Sequence, residues 1–279
     1  MTLLAPFLAS LLSISPAIPM PSLGSQPASL TEIRARAAEF LAAELPSLEE
    51  AEVLDSGEVR RVIERACALL DGSRLAQRLT PREGLTAKQW VITLRSVYDA
   101  ATFQVVREAE LPVGFPEPTL VGEVEIKRYP GYRMARASMG PGGMVGENLA
   151  FWALFQHIQS NEISMTAPVE MAYGDSEKGA SMAFLYGAPE IGEAGGDGRV
   201  EVIDIPPQAM VSLGLRGSRA AKRIEAARAT LEEWIRANPE YVADGPLRVF
   251  GYNSPSVRGN RQYFEVQIPV SRVVRVEWL

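Results

Sequence analysis

Cysteine and histidine are almost missing from this 279-residue sequence: Cys67 and His157 stand alone. A single cysteine excludes an intramolecular disulfide and the cysteine-rich metal sites, and the lack of a Cys-x-x-Cys-His string excludes c-type haem attachment. A single histidine excludes zinc sites built on two or more, and the facial triad that needs two. A Ser-His-Asp or Cys-His triad could form only through His157, and Cys67 falls in a different predicted region. Basic excess is also lacking: the formal net charge is -6 and no Lys/Arg run interrupts it. That argues against a nucleic-acid partner, which needs a basic face. No stable membrane span is expected, because the apolar run from Leu3 to Ile18 is short and broken by Pro6 and Pro16. Residues 1–29 carry no charged side chain, and the first basic residue is Arg34. This leader has the apolar centre of a secretory signal peptide without its basic start. Two readings stand: an export signal, placing the protein outside the cytoplasm, or an N-terminal extension of a cytoplasmic protein.

What is present divides the chain in two. Residues 30–115 read as a helical region ending in a linker. Ser29-x-x-Glu32 and Thr86-x-x-Gln89 have capping-box spacing, and Asp55 and Glu58 precede a third apolar stripe that Gly72 stops. Cys67 lies on that stripe, as a small core residue would. Pro112, Pro116 and Pro118 make a stiff linker and the best domain boundary. Beyond it, residues 116–279 alternate as strands do. The helix expected from Glu147 to Gln159 is apolar nearly all round, which implies burial on several sides. Strands are expected at 163–171, 182–186, 200–205, 210–215, 247–252 and 262–268, with a second helix from Ser218 to Ala237.

This second region repeats itself. Val124-Glu125-Ile126-x-x-Tyr129-Pro130-x-x-x-Met134 returns as Val200-Glu201-Val202-x-x-Ile205-Pro206-x-x-x-Met210. The repeat implies an α+β fold with two duplicated halves around a shared cleft.

Several strings resemble the SOUL/haem-binding protein family: Glu125-Ile126-x-x-Tyr129, the run Asn161-Glu162-Ile163-Ser164-Met165-Thr166-Ala167-Pro168-Val169, and Gly251-Tyr252-Asn253-Ser254-Pro255. Asn260-Arg261-x-x-Phe264-Glu265-Val266 is a looser match, and the whole covers roughly residues 119–278. The resemblance implies a distorted β-barrel of two β-α-β-β halves with two helices packed outside, similar also to the ligand-sensing domains of multidrug-responsive regulators. It implies non-covalent binding of haem or another tetrapyrrole in an apolar cleft, for sequestration or delivery and without catalysis. Carried onto this chain, the cleft would be lined by Phe151, Leu154, Phe155 and Ile158, with Met165 following. The chain departs from the family's pattern in having no Lys or Arg between Glu147 and Ser160 to meet haem propionates. Arg128, Arg133 and Arg136 are the substitutes. His157 stands where relatives carry an aromatic residue. It is either an axial haem ligand or a histidine filling an aromatic slot.

Strand alternation places Phe264, Val266 and Ile268 on one face and Glu265 and Gln267 on the other. The second face is expected to be solvent, leaving Glu265 exposed. A buried Glu265 facing a tyrosine would instead favour a hydrolase general base or a seat for a cationic ligand. Met165 and Met171 would share a face if one regular strand held both. Tyr129 and Tyr252 are expected to be packing residues. The alternatives to haem are thus a generic apolar or cationic small-molecule binder, a hydrolase in the same cleft, or an interaction module that docks a partner through the N-terminal helices.

Overall fold

The computed structural model describes residues 28–140, 144–173, 180–196 and 198–273. Most of the apolar leader, the glycine-rich loop at 141–143 and the polar turn at 174–179 lie outside the described residues. Both capping boxes form. The Ser29 backbone N–H donates to Glu32 Oε2 at 2.8 Å and the Thr86 N–H to Gln89 Oε1 at 2.8 Å, starting α1 (Leu30–Glu50) and α3 (Ala87–Ala101). Asp55 caps α2 (Ser56–Leu69) by accepting from Gly57 N at 2.8 Å. A 3-10 turn, Arg74–Leu79, separates α2 from α3. Cys67 is half-buried and packs against the core these helices share.

The strands are β1 (Val124–Tyr129), β2 (Tyr132–Ser138), β3 (Val169–Tyr173), β4 (Ser181–Leu185), β5 (Gly195–Gly196), β6 (Glu201–Ile205), β7 (Gln208–Arg216), β8 (Tyr241–Ala243), β9 (Leu247–Gly251) and β10 (Tyr263–Arg272). Helix α4 (Met144–Ser160) lies between β2 and β3, and α5 (Ala221–Ala237) between β7 and β8. The strands join in one sheet, ordered β1-β7-β10-β9-β3-β4-β2-β6-β5, with β8 on β10. Among the described residues the expected barrel is not formed, because the sheet is open. Closure needs the two end strands to pair, but β1 ends one side and the two-residue β5 ends the other.

Both faces of the sheet are covered. Phe184, Val211, Val249, Phe264, Val266 and Ile268 pack with α4 and α5. Tyr129, Tyr132, Leu185, Met210, Phe250, Tyr252 and Tyr263 face the other way, in one apolar cluster with α1, α2 and α3. Val105, Leu111 and Phe115, from the stretch after α3, pack into that cluster.

A buried ion pair ties α1 to the start of the sheet. Arg34 donates to Glu123 Oε1 at 3.1 Å and to the Val121 carbonyl at 2.9 Å, and also reaches the Ala100 carbonyl. Glu123 further accepts from Arg74 N at 3.0 Å and from Ser73 Oγ. Both residues are buried. A buried charge stripped of its partner is costly, so Arg34→Met is expected to lose about 3–5 kcal/mol in equilibrium urea unfolding. The Arg34→Met/Glu123→Leu double variant should cost less than the sum of the two single changes.

Candidate functional site

Helix α4 lays one stripe on the sheet. Gly146, Ala150, Leu154 and Ile158 recur every fourth residue and are all buried. The contact is closest at Gly146, where a Cβ would sit 1.8 Å from the Met139 carbonyl oxygen, so only glycine lets the helix start there. Leu154 and Ile158, expected to line a cleft, are therefore core residues beneath the helix. The aromatics lie off that stripe, with Phe151 and Phe155 half-buried against the core and Trp152 exposed. Phe151 and Phe155 stack at 6.0 Å between ring centres with planes 10° apart. Trp152 meets Phe155 edge-on at 5.7 Å, and Phe151 meets Phe184 of β4 at 5.4 Å. Trp152 is 63% exposed and Leu149 68%, and Met144 and Val145 are also exposed. Helix α4 therefore leaves several large apolar side chains in water.

His157, one turn on, is half-buried, and its Nε2 lies 2.9 Å from the Tyr186 hydroxyl. Met165 is 36% exposed and belongs to no strand, because β3 begins only at Val169. It therefore shares no strand face with the buried Met171. The preceding segment is held otherwise, by Thr166 Oγ1 donating to the Leu185 carbonyl at 2.5 Å. Arg133 is committed to Asp204 at 2.8 Å and Arg136 to Glu201 at 2.6 Å, while Arg128 is exposed.

The opposite face holds a polar cluster in which Glu265, expected at the surface, is 0% exposed. The alternation was right and the environment was not, since the sheet is covered on both sides. Glu265 Oε1 accepts from Lys127 Nζ at 2.7 Å, Thr119 N at 2.6 Å and Tyr263 OH at 3.1 Å. Its Oε2 accepts from Tyr252 OH at 2.9 Å and Gln267 Nε2 at 2.7 Å. Gln267 also reaches Tyr129 OH at 2.7 Å. Tyr129 and Tyr252 thus belong to a hydrogen-bonded cage as well as to the core. A second buried carboxylate, Glu170, lies 3.4 Å from Tyr132 OH and 3.5 Å from Arg248. Burial, above all, pushes its carboxyl above the usual range.

Residues 102–119 lie over this face as a strap. Glu110 O accepts from Ala167 N at 3.0 Å, Val113 N donates to Gly187 O at 2.9 Å, and Val106 O accepts from Asn253 Nδ2 at 2.7 Å. Phe115 meets Tyr129 and Tyr132 edge-on at 5.0 and 5.1 Å, and Phe103 stacks on Tyr263 at 6.1 Å. The proline-rich stretch, expected as a linker, is held to the sheet at Val113 and Phe115.

The SOUL heme-binding protein family matches residues 101–269. The chain belongs to that family. The match begins at the strap, ahead of the residues that carry the resemblance in the sequence. No curated protein matches the chain. Among solved structures it is similar to the EcmrR C-terminal domain (16% identity, TM-score 0.44, covering 54% of this chain and 98% of that one). It is similar to EcmrR in a DNA complex (12%, 0.46, 92% and 90%) and to a hydrolase from Listeria innocua (12%, 0.41, 56% and 94%). At these scores the likeness carries no functional weight.

In this SOUL-family protein, the described residues include no group of three or more His, Cys, Asp or Glu that could hold a metal ion, and no helix long and apolar enough to cross a membrane. The cage was legible in part. Lys127-x-Tyr129 and Tyr263-x-Glu265-x-Gln267 each alternate in step, a pattern that fits two buried strand faces as well as a wet one. Burial, then the charge of Glu265, holds the Tyr129, Tyr252 and Tyr263 hydroxyls well above their ordinary value. A phenol whose folded value is raised stabilises the fold fully below the unfolded value of about 10, and loses that contribution as pH rises toward the folded value. These three of the eight tyrosines are therefore expected to ionise, in absorbance at 295 nm, only together with the loss of far-UV dichroism. Full ionisation in a still-folded chain would mean that the cage is open to water.

Proposed function

We propose that this protein binds haem or a related tetrapyrrole non-covalently on the aromatic face of α4, for sequestration or delivery and without turnover. The carrying observation is the half-buried, stacked Phe151–Phe155 pair with the exposed Trp152 beside it, on a helix of a SOUL-family chain. Flat apolar rings suit the macrocycle, with each aromatic contact contributing about 0.5–1.5 kcal/mol beyond its buried area. When bound, the haem iron would supply any redox chemistry, while the protein contributes shape and shielding. With no cation on α4, and Arg133 and Arg136 already paired, propionates would point to water. His157 gives its Nε2 to Tyr186, so this reading makes it a positioning residue for α4 and assigns it no bond to iron.

The cationic-ligand and hydrolase readings require Glu265 to be free. Its place beside tyrosines favours them, but Lys127 already supplies the cation, Thr119 N and the tyrosines occupy its oxygens, and its side chain is fully buried.

We also read the sheet as two halves, β1-β2-α4-β3-β4 and β6-β7-α5-β9-β10. The strand order supports this: exchanging β1 with β6, β2 with β7, β3 with β9 and β4 with β10 gives the same order of these strands read from the other end.

Haemin titrated into the full chain is expected to give a saturable one-to-one Soret change. Trp152→Ala should weaken it about tenfold, the equivalent of ~1.4 kcal/mol. His157→Phe should retain it. Loss of the change in a folded His157→Phe variant would restore His157 as the ligand, and no saturable change in the parent chain would sink haem altogether.

A further inference from the structure

A cavity of about 340 Å³ opens between the 3-10 turn, the end of β7 and α5. Its floor is apolar, with Leu213 and Leu215, and four arginines line it: Arg74, Arg78, Arg82 and Arg223. No aspartate or glutamate is among its lining residues. In a chain of net charge -6 this is a marked local reversal. None of the four arginines takes part in an ion pair among the described residues, whose ion pairs involve other cations.

Nearby acids are spent elsewhere. Glu123 is held by Arg34, Ser73 and the Arg74 backbone. Asp99 pairs with Arg216 at 2.9 Å. Arg223 donates to the carbonyls of Ser218 at 2.7 Å and Arg216 at 2.6 Å, which fixes its guanidinium over the Phe264 ring at 5.4 Å. Arg74 Nε is buried with no partner. Arg78 lies close to Gly122, where a Cβ would come within 3.1 Å of its Nη2. Burial lowers the Arg78 guanidinium, Glu123 opposes that shift, and the charges of Arg216, Arg74 and Arg223 add to it.

Gathered and partly desolvated like charges cost stability unless an anion offsets them. Guanidinium groups, with their planar fork of donors, suit carboxylate and phosphate oxygens. We infer that this cavity is a binding site for a small organic anion, a phosphate or carboxylate carried on an apolar body that rests on Leu213 and Leu215. The site is separate from the α4 face and stands whether or not that face holds haem.

Calorimetric titration of the full chain with phenyl phosphate, phthalate and inorganic phosphate tests the inference. At least one of the two organic anions should bind one-to-one, more tightly than inorganic phosphate and more weakly at high salt. Whichever organic anion binds more tightly identifies the preferred oxyanion. Binding should fall about tenfold in Arg78→Gln and in the more exposed Arg82→Gln. Arg107→Gln, a surface change outside the cavity, should leave it unchanged. No saturable heat from either organic anion, or undiminished affinity in folded Arg78→Gln and Arg82→Gln, would overturn the inference.

Discussion

The buried Lys127–Glu265 pair is the constraint around which the rest of the sheet is arranged. Covering a sheet on both faces removes water from every side chain in its central strands, and a charge placed there must be answered within the fold. β10 sits between β7 and β9, well inside the sheet, and Glu265 points to the side where the strap lies. The tyrosines, Gln267 and the Thr119 amide are the answer. The strap is therefore part of the solution to an electrostatic problem posed more than a hundred residues later in the chain.

The helices were the most legible part of the fold. Capping boxes at Ser29 and Thr86 depend on side chains three residues apart, and such local chemistry survives whatever packs on it. The all-round apolar character of α4 was legible too, although its meaning was mixed: one stripe is core, Phe151, Ala153 and Phe155 are half-buried beside it, and Leu149 and Trp152 stand in solvent. Glu265 was misread because alternation gives the side of a strand and says nothing of what covers that side. Met165 departs from a continuous strand for a related reason: Pro168 interrupts the motif, and β3 begins only at Val169. The open sheet could not be foreseen, because closure depends on pairing between strands far apart in sequence.

Among the residues proposed for haem, the structure brings Phe151 and Phe155 together with Trp152, which the family resemblance does not place in the cleft. It buries Leu154 and Ile158 and turns His157 toward Tyr186. Trp152 follows a family-implied residue directly and could have been found by asking which positions fall opposite the stripe Gly146, Ala150, Leu154 and Ile158. The arginine cavity had no comparable signal. Arg74, Arg78 and Arg82 recur every four residues, yet they converge with Arg223 only after α5 has returned to the sheet.

The contact at Gly146 reaches beyond packing. The start of α4 is seated close against the Met139 carbonyl, and the same helix holds Phe151 and Phe155 already stacked before any visitor arrives. A flat molecule settling there would order mainly itself and a few rotamers, and a surface prepared in advance in this way wastes little of its contact energy on its own reorganisation.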